Sequence, residues 1–281
     1  VADQRSAVFR LDGAAGGWGW HVDGFDRHYD AYEIPGFAES AALRREEALE
    51  EAEGEHEHDE HDEHGGDEAS GIAPDTDFRT RGGAVGASWI GDRGLLGLAV
   101  SRTESDYGLP GGHAHAHAHE DEHEGDHGED HEHEAHEHDE EEGGASLGLE
   151  QTRVDLEAAL ERPLPGVDSL NLRMTWNDYE HTEFEPSGEP GTRFTNDALE
   201  ARLELSHAPV GPFTGVLGLQ AVSRDFAALG DEAFVPPVET RSWALFAVED
   251  TVLGPGELEM SGRVERTTHD VSDGRTRSFT S

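Results

Sequence analysis

The chain has 281 residues, no cysteine, no lysine and a formal net charge of −43 at pH 7. Such an acidic chain lacks the basic face that neutralises phosphates, which argues against a nucleic-acid partner. The absence of cysteine rules out a disulfide framework, and no apolar run approaches the roughly 18 residues of a membrane helix. The lack of a long apolar run does not exclude a transmembrane β-barrel, because barrel strands show only a weak alternation of apolar and polar residues.

Period-two alternation predicts strands throughout the chain outside two acidic tracts. In the clearest case Leu170, Leu172, Met174 and Trp176 alternate with polar residues. We expect ten strands of about 7 to 15 residues each. Their approximate spans are 6–12, 18–32, 78–90, 95–107, 150–161, 169–180, 194–206, 213–226, 240–252 and 257–269.

The connections between these strands alternate between short and long. The long ones cover about 33–77, 108–149, 181–193 and 227–239. The short ones are turns rich in Gly and Pro. A transmembrane barrel sorts its connections in this way, with short periplasmic turns and longer outer loops, whereas a soluble sandwich has no reason to do so.

The predicted fold is therefore an all-β, antiparallel, up-and-down transmembrane β-barrel, here a partial barrel of about ten strands with two disordered His/acid-rich loops. The strands should form one continuous meander with their apolar side chains facing outward. Arg202 and Glu204 on the opposite face suit a water-filled lumen. In a soluble sandwich, which is the alternative, Trp176 and Trp243 would be core residues. Aromatic residues near the strand ends fit interfacial girdles, namely Trp18, Trp20, Trp89, Trp176, Tyr179 and Trp243.

Two low-complexity tracts, residues 44–70 and 113–142, fall in long connections, so both should lie in extracellular loops. The second tract holds ten of the 19 histidines together with fourteen carboxylates. Residues 46–68 add four histidines and thirteen carboxylates. Neither tract can bury an apolar face, so we expect neither to fold on its own.

The composition of these tracts favours a metal-binding role over the alternative, a solvated acidic spacer. Imidazole nitrogens and carboxylate oxygens suit Zn²⁺, Cu²⁺ and Ni²⁺, and no thiolate is available. The spacing is too degenerate for one tetrahedral site, so we expect several weak, exchangeable sites. The candidate ligands are His56, His58, His61, His64, His113, His115, His117, His119, His123, His127, His131, His133, His136 and His138.

A deeper candidate pair is His181 and Glu183, which together with Tyr179 continue the alternation onto the lumen side near the outer rim. The alternative for His181 is a hydrogen-bonded rim histidine. His21 and Asp23 also face the lumen by parity, but their position near a short turn favours a structural role. His207 opens a short turn and is expected at the membrane interface.

Several segments resemble the barrel of TonB-dependent outer-membrane receptors, closest to the branch associated with zinc uptake. The most specific element is YGLPG at 107–111, which leads directly into the second tract. The next is GDEAFVPP at 230–237. The similar segments cover most of the chain outside the tracts and span 21–36, 82–111, 160–185, 191–209, 218–237 and 240–265.

The resemblance implies a 22-stranded barrel filled by an N-terminal plug and powered through a TonB complex, in the outer membrane of a Gram-negative bacterium. Residues 1–281 would be part of a single barrel domain, without the plug, the TonB box and the closing strands. We therefore expect an internal piece of a longer protein. Its partners would be outer-membrane lipid, divalent metal ions and, through the plug, the TonB complex.

Three functions follow as hypotheses. The first is TonB-dependent uptake of a divalent metal, zinc before others, captured by the outer loops. The second is a receptor of the same fold for siderophore or haem iron, and the third is a metal-sequestering β-protein without transport. No nucleophile elbow, phosphate loop or HExxH motif occurs, so an enzyme is not expected and no cofactor is implied.

Overall fold

The computed structural model describes residues 3–38, 40–45, 49, 69–110, 144–230, 233, 235–272 and 274–281. Within this part of the chain, no helix is long and apolar enough to cross a membrane. The strands are β1 (Gln4–Ala15), β2 (Trp18–Tyr29), β3 (Glu33–Phe37), β4 (Ser70–Ile72), β5 (Phe78–Gly91), β6 (Gly94–Leu109), β7 (Ala145–Glu161), β8 (Val167–Phe184), β9 (Pro190–Val210), β10 (Phe213–Leu229), β11 (Val238–Leu253), β12 (Gly256–Val271) and β13 (Thr276–Thr280).

One antiparallel sheet of 11 strands forms the body of the described chain, in the order β1-β2-β5-β6-β7-β8-β9-β10-β11-β12-β13. Each of these strands pairs with the next one along the chain, except that β2 pairs with β5 across the first long connection. The predicted meander is therefore confirmed, and β13 adds an unpredicted strand at its edge. β3 and β4 form a separate hairpin inside the first long connection. With 5 and 3 residues they are too short to show an alternating pattern.

The predicted short connections lie at one end of the sheet, and the two tract-bearing connections lie at the other. The turn between β1 and β2 consists of Gly16 and Gly17, whose φ angles of 58° and 82° lie in the left-handed region that glycine adopts without strain. The other short turns at this end are residues 92–93, 162–166, 211–212 and 254–255. We call the opposite end the long-loop end.

One predicted long loop is wrong, because most of residues 181–193 continue the strands. β8 and β9 both extend into this range, and only the turn at 185–189 separates them. The His181 ring stacks on the Phe194 ring with centroids 4.5 Å apart, so a cross-strand pair supports the longer ladder. Polar and aromatic residues beyond the apolar stretch made this extension look like a loop.

The register aligns the apolar residues of neighbouring strands on one face. Residues directly opposite each other in antiparallel strands project to the same side. Leu170, Leu172, Met174 and Trp176 of β8 lie opposite Leu205, Leu203, Ala201 and Leu199 of β9. The pairing continues to β7 and β6, where Val154 lies opposite Trp176 and Val100 opposite Val154. We call this side the apolar face and the other side the polar face.

All five tryptophans of the chain lie on the apolar face. Trp18 lies opposite Trp89 near the short turns, and the cross-strand register connects the others to the same side. Tyr179 is an exception to the predicted aromatic girdle. It lies three residues from Trp176 on one strand, and this odd spacing turns it to the polar face.

Within the described residues, no second layer covers the apolar face. Among the described residues the buried hydrophobic ones are only Ala228 and Ala244. Trp18, Trp89 and Trp243 are 57%, 44% and 45% exposed. A soluble sandwich would bury this face against another sheet, so the predicted alternative is wrong. Exposing such a face to water costs about 25 cal/mol per Å² of apolar surface, a cost that hydrocarbon removes.

Candidate functional site

Polar side chains line the face opposite the tryptophans, and arginine–carboxylate pairs form along several of its strands. Residues two apart on a strand share a face, which lets an arginine reach the acid two positions on. On the polar face of the described sheet such pairs occur on four strands. They are Arg10–Asp12 (2.7 Å), Arg153–Asp155 (2.8 Å), Arg202–Glu204 (2.7 Å) and Arg263–Glu265 (2.7 Å). The polar lining predicted from Arg202 and Glu204 is therefore present, and its charges largely neutralise each other.

The sheet curves towards its polar face. One hollow of about 660 Å³ is bordered by β1, β2, β5, β6, β7 and β8 together. Strands so far apart in the sheet border one hollow because the sheet bends around it. The polar side chains along it include Asp12, His21, Ser88, Arg153, Arg173 and Thr175. The polar face is therefore concave and the apolar face convex, so Leu170, Leu172, Met174 and Trp176 lie on the outer face, as predicted.

His21 is held between two carboxylates in this hollow. Its Nδ1 lies 2.6 Å from Asp12 Oδ1, and its Nε2 contacts Asp23 Oδ2. Asp12 also accepts a hydrogen bond from Arg10 Nε at 2.7 Å. Because both ring nitrogens are engaged, neither is open to a metal ion in this arrangement. His21 and Asp23 fit the structural role that their position near a short turn favoured.

His181 lies near the long-loop end of the polar face and has aromatic neighbours. Its Nδ1 is 3.0 Å from the Tyr179 hydroxyl, and its ring stacks on Phe194 at an interplanar angle of 20°. Glu183 is two residues further along β8 and therefore projects to the same side. The described residues contain no group of three or more His, Cys, Asp or Glu that could hold a metal ion. His181 and Glu183 would thus need further ligands, and their metal role stays a prediction.

The tract histidines lie outside the described residues, so their metal-binding role also stays a prediction. These are His56, His58, His61, His64, His113, His115, His117, His119, His123, His127, His131, His133, His136 and His138.

His207 lies at the short-turn end, where it was expected. Its Nε2 is 3.0 Å from Glu249 Oε1, and the two residues flank Gly215 of the strand between them. A side chain on Gly215 would collide with Glu249, so glycine leaves room for this bridge across β10. The contact joins β9 to β11 and is structural.

An aromatic row on the polar face was not recognised from the sequence. Tyr29, Phe78 and Tyr107 lie directly opposite one another on β2, β5 and β6, at the long-loop end. The ring centroids are 5.8 Å apart for the first pair and 6.2 Å for the second. Glu183 lies on the same cross-strand row, two strands beyond Tyr107, on the far side of Leu147. Strand parity along β2 would have placed Tyr29 on the polar face, but the row itself depends on the pairing of β2 with β5.

Solved structures of outer-membrane receptors share this architecture. The chain aligns with the FrpB iron transporter from Neisseria meningitidis (F3-3 variant) at a TM-score of 0.64 and 11% identity, covering 98% of this chain and 41% of that one. It aligns with the copper transporter OprC at 0.58 and 12%, covering 99% and 41%. For the ferric enterobactin receptor PfeA the values are 0.55 and 11%, covering 99% and 39%. No protein-family model matches the chain.

The chain has the fold of a partial TonB-dependent receptor barrel. It spans about two fifths of the length of these receptors. In transmembrane β-barrels in general, the outward-facing apolar band meets lipid and the polar interior lines the lumen. At 8–12% identity the likeness concerns the fold alone, so the predicted similarity to the zinc-uptake branch stays a prediction.

Proposed function

We propose that the chain is part of an outer-membrane, TonB-dependent transport receptor that captures a divalent metal, zinc before others, through His/Asp/Glu-rich outer loops for uptake into the periplasm. The observation that carries the proposal is the position of the described ends of the two tract-bearing connections. Ala38 and Ala69, at the ends of the first, share a hydrogen bond of 2.8 Å. Pro110 and Gly144, at the ends of the second, follow and precede paired strands of the same sheet end.

Fourteen histidines and 27 carboxylates of the sequence then belong to connections that start at the rim of one concave polar face. A field of carboxylates raises the local concentration of cations and speeds their capture. Neutral imidazoles supply ligands that Zn²⁺, Cu²⁺ and Ni²⁺ prefer over water. Loose, exchangeable coordination suits a captured cargo better than a closed tetrahedral site, because the ion must leave again.

His181 and Glu183 are the next groups that an entering cation would meet on the polar face. Both project from β8 near the long-loop end, and His181 is oriented by Tyr179. In the proposal they take over an ion from the tracts, together with ligands from outside the described residues. Coupling to a TonB complex through a plug belongs to the proposed whole receptor, and no catalytic step is part of it.

The fold does not select the metal. The printed names of two similar structures describe an iron transporter and a copper transporter. Intrinsic affinity of nitrogen and oxygen sites favours Cu²⁺ over Zn²⁺, so supply decides between them. Zinc is proposed because the histidine-rich tract follows the YGLPG segment that resembles the zinc-uptake branch.

Calorimetric titration of the full-length receptor with ZnCl₂ tests the capture step. Deleting residues 113–142 should remove most of the bound zinc, since ten histidines lie there. A matched variant with these ten histidines replaced by asparagine keeps all fourteen carboxylates and separates imidazole ligation from charge. If both variants bind as much zinc as the unaltered protein, the tract is an acidic spacer and the proposal fails.

A second candidate is a receptor for an iron chelate, and the aromatic row of Tyr29, Phe78 and Tyr107 favours it. Three rings in register on the lumen side offer stacking surfaces for a flat organic ligand. The printed name of one similar structure describes a ferric enterobactin receptor. Uptake assays with ⁶⁵Zn and with ⁵⁵Fe chelates, in the unaltered receptor and in a Tyr107→Ala variant, separate the candidates. Loss of iron uptake with intact zinc binding in Tyr107→Ala would favour the second.

A further inference from the structure

A turn of residues 73–77, which we call the Asp75 turn, is tied to the chain leaving β2. The backbone N–H of Ala73 donates to the carbonyl of Tyr32 at 3.0 Å. The N–H of Tyr32 donates back to Thr76 Oγ1 at 3.1 Å, and the Thr76 hydroxyl donates to the Ala73 carbonyl at 2.7 Å. The two ends of the first long connection, where it leaves β2 and where it enters β5, therefore meet in this turn. We call the two ends of a connection its stems.

The same turn also holds both stems of the second long connection. Gly144, directly before β7, donates its backbone N–H to Asp75 Oδ2 at 2.9 Å. Gly108, near the end of β6, donates to the carbonyl of Asp77 at 3.3 Å. A side chain on Gly108 would place its Cβ 2.5 Å from the Asp75 carbonyl oxygen, and one on Gly144 would collide with the Asp75 carboxylate. Glycine at both stems permits this close approach.

Asp75 adopts an unfavourable backbone conformation in this turn. Its φ of 54° lies in the left-handed region, which costs energy for any residue with a Cβ, although aspartate tolerates it better than most. Such a conformation persists where the surrounding contacts determine it. Here those contacts come from both connections, so releasing either one weakens the support for the turn.

We propose that the Asp75 turn couples the two long connections, so that ordering one pair of stems stabilises the other. The physical basis is that Ala73, Asp75 and Thr76 all belong to one hydrogen-bonded turn, and the two sides of this turn bind different connections. Local opening of such a unit is cooperative, because its bonds form and break together. In the receptor proposed above, metal bound by one connection would thereby be sensed at the stems of the other. The mechanical coupling itself does not depend on which ligand binds.

Amide hydrogen exchange in the full-length receptor tests the coupling away from the altered contact. Thr76→Ala removes the hydroxyl that accepts from Tyr32, yet Thr76 does not bond Gly144. We expect the Gly144 amide to exchange about tenfold faster in Thr76→Ala, because losing one hydrogen bond is worth roughly that factor. In the reverse direction, Asp75→Ala should speed exchange at the Tyr32 amide.

Conservative variants and a control turn separate coupling from general damage. Thr76→Ser and Asp75→Asn keep an acceptor at each position and should restore most of the protection. Ser187→Ala removes a comparable contact, Ser187 Oγ to the Glu189 amide at 3.2 Å, in the turn between β8 and β9. It should leave Gly144 unchanged. Unaltered exchange at Gly144 in Thr76→Ala and at Tyr32 in Asp75→Ala would overturn the proposal.

Hydrogen-exchange measurements with added zinc distinguish this proposal from the proposed function. In a receptor lacking residues 113–142, saturating ZnCl₂ should slow exchange at Gly144 as well as at Ala73, and Asp75→Ala should abolish the effect at Gly144 alone. Slower exchange at Ala73 without any change at Gly144 overturns the coupling but leaves metal capture standing. If the unaltered receptor binds no zinc, metal capture fails, and the variants without metal still decide the coupling.

Discussion

Replacing Leu172 by arginine tests the assignment of the apolar face to lipid. Leu172 lies opposite Leu203 on β9 and Ala158 on β7, so it has apolar neighbours on both sides. At about 3.3 Å per residue it is roughly 13 Å along the strand from Trp176, which lies near the outer edge of the apolar stretch. Leu172 is therefore near the middle of the band.

The expected loss follows from this depth. An arginine on the lipid face of a barrel costs about 2–4 kcal/mol at the bilayer midplane and close to nothing near the interfaces. We expect Leu172→Arg to lower the free energy of unfolding by about that amount. Asn171→Arg is the matched control, because Asn171 is the adjacent residue on the polar face and lies opposite Glu204. Its effect should stay within about 0.5 kcal/mol.

The assay is denaturant unfolding of the full-length receptor in lipid vesicles, with both variants measured in the same lipid. The denaturation midpoint should fall clearly for Leu172→Arg and stay nearly constant for Asn171→Arg, at equal slopes. Equal losses for the two variants would refute the reasoning, since the two faces would then have the same environment. A larger loss for Asn171→Arg would place the lipid on the other face.

Two further predictions concern a packed glycine and the pH dependence of capture. Gly218 lies opposite Phe246, whose ring occupies the space of a Gly218 side chain and is covered by the Arg202 guanidinium at 4.4 Å. Gly218→Ala should lower the free energy of unfolding by about 1–3 kcal/mol in the same assay. Gly262→Ala is the control and should be nearly neutral, because no atom lies within 4 Å of its added Cβ. Equal effects of the two substitutions would contradict the ring contact. Zinc binding should weaken as the pH falls below about 7, because a ligand imidazole must be neutral and the surrounding carboxylates favour its protonated form. Calorimetry at pH 7.5 and pH 5.5 in matched buffers checks this, and equal affinities at the two pH values would exclude histidine as the main ligand.

The sequence by itself determined ten strands of the main sheet, their order and the two connections that carry the acidic tracts. Alternation needs only local information, because side chains of a strand project to opposite faces with period two. The four apolar residues from Leu170 to Trp176 carry that signal, and Gly16 and Gly17 carry the signal for a tight turn. The sequence also determined where histidine and carboxylate concentrate, since composition requires no fold. These features were enough to predict a meander with two faces.

Only the tertiary structure decided which residues meet. His21 touches Asp12 because β1 and β2 pair in one register, and a shift by one residue would turn each side chain to the other face. The row of Tyr29, Phe78 and Tyr107 depends on pairing across a connection of more than forty residues, which no local pattern encodes. The Asp75 turn depends on a residue 69 positions away, at Gly144. Register and long-range contact are set by the whole sheet, whereas alternation is set by neighbouring residues, and that difference separates what could be predicted from what had to be seen.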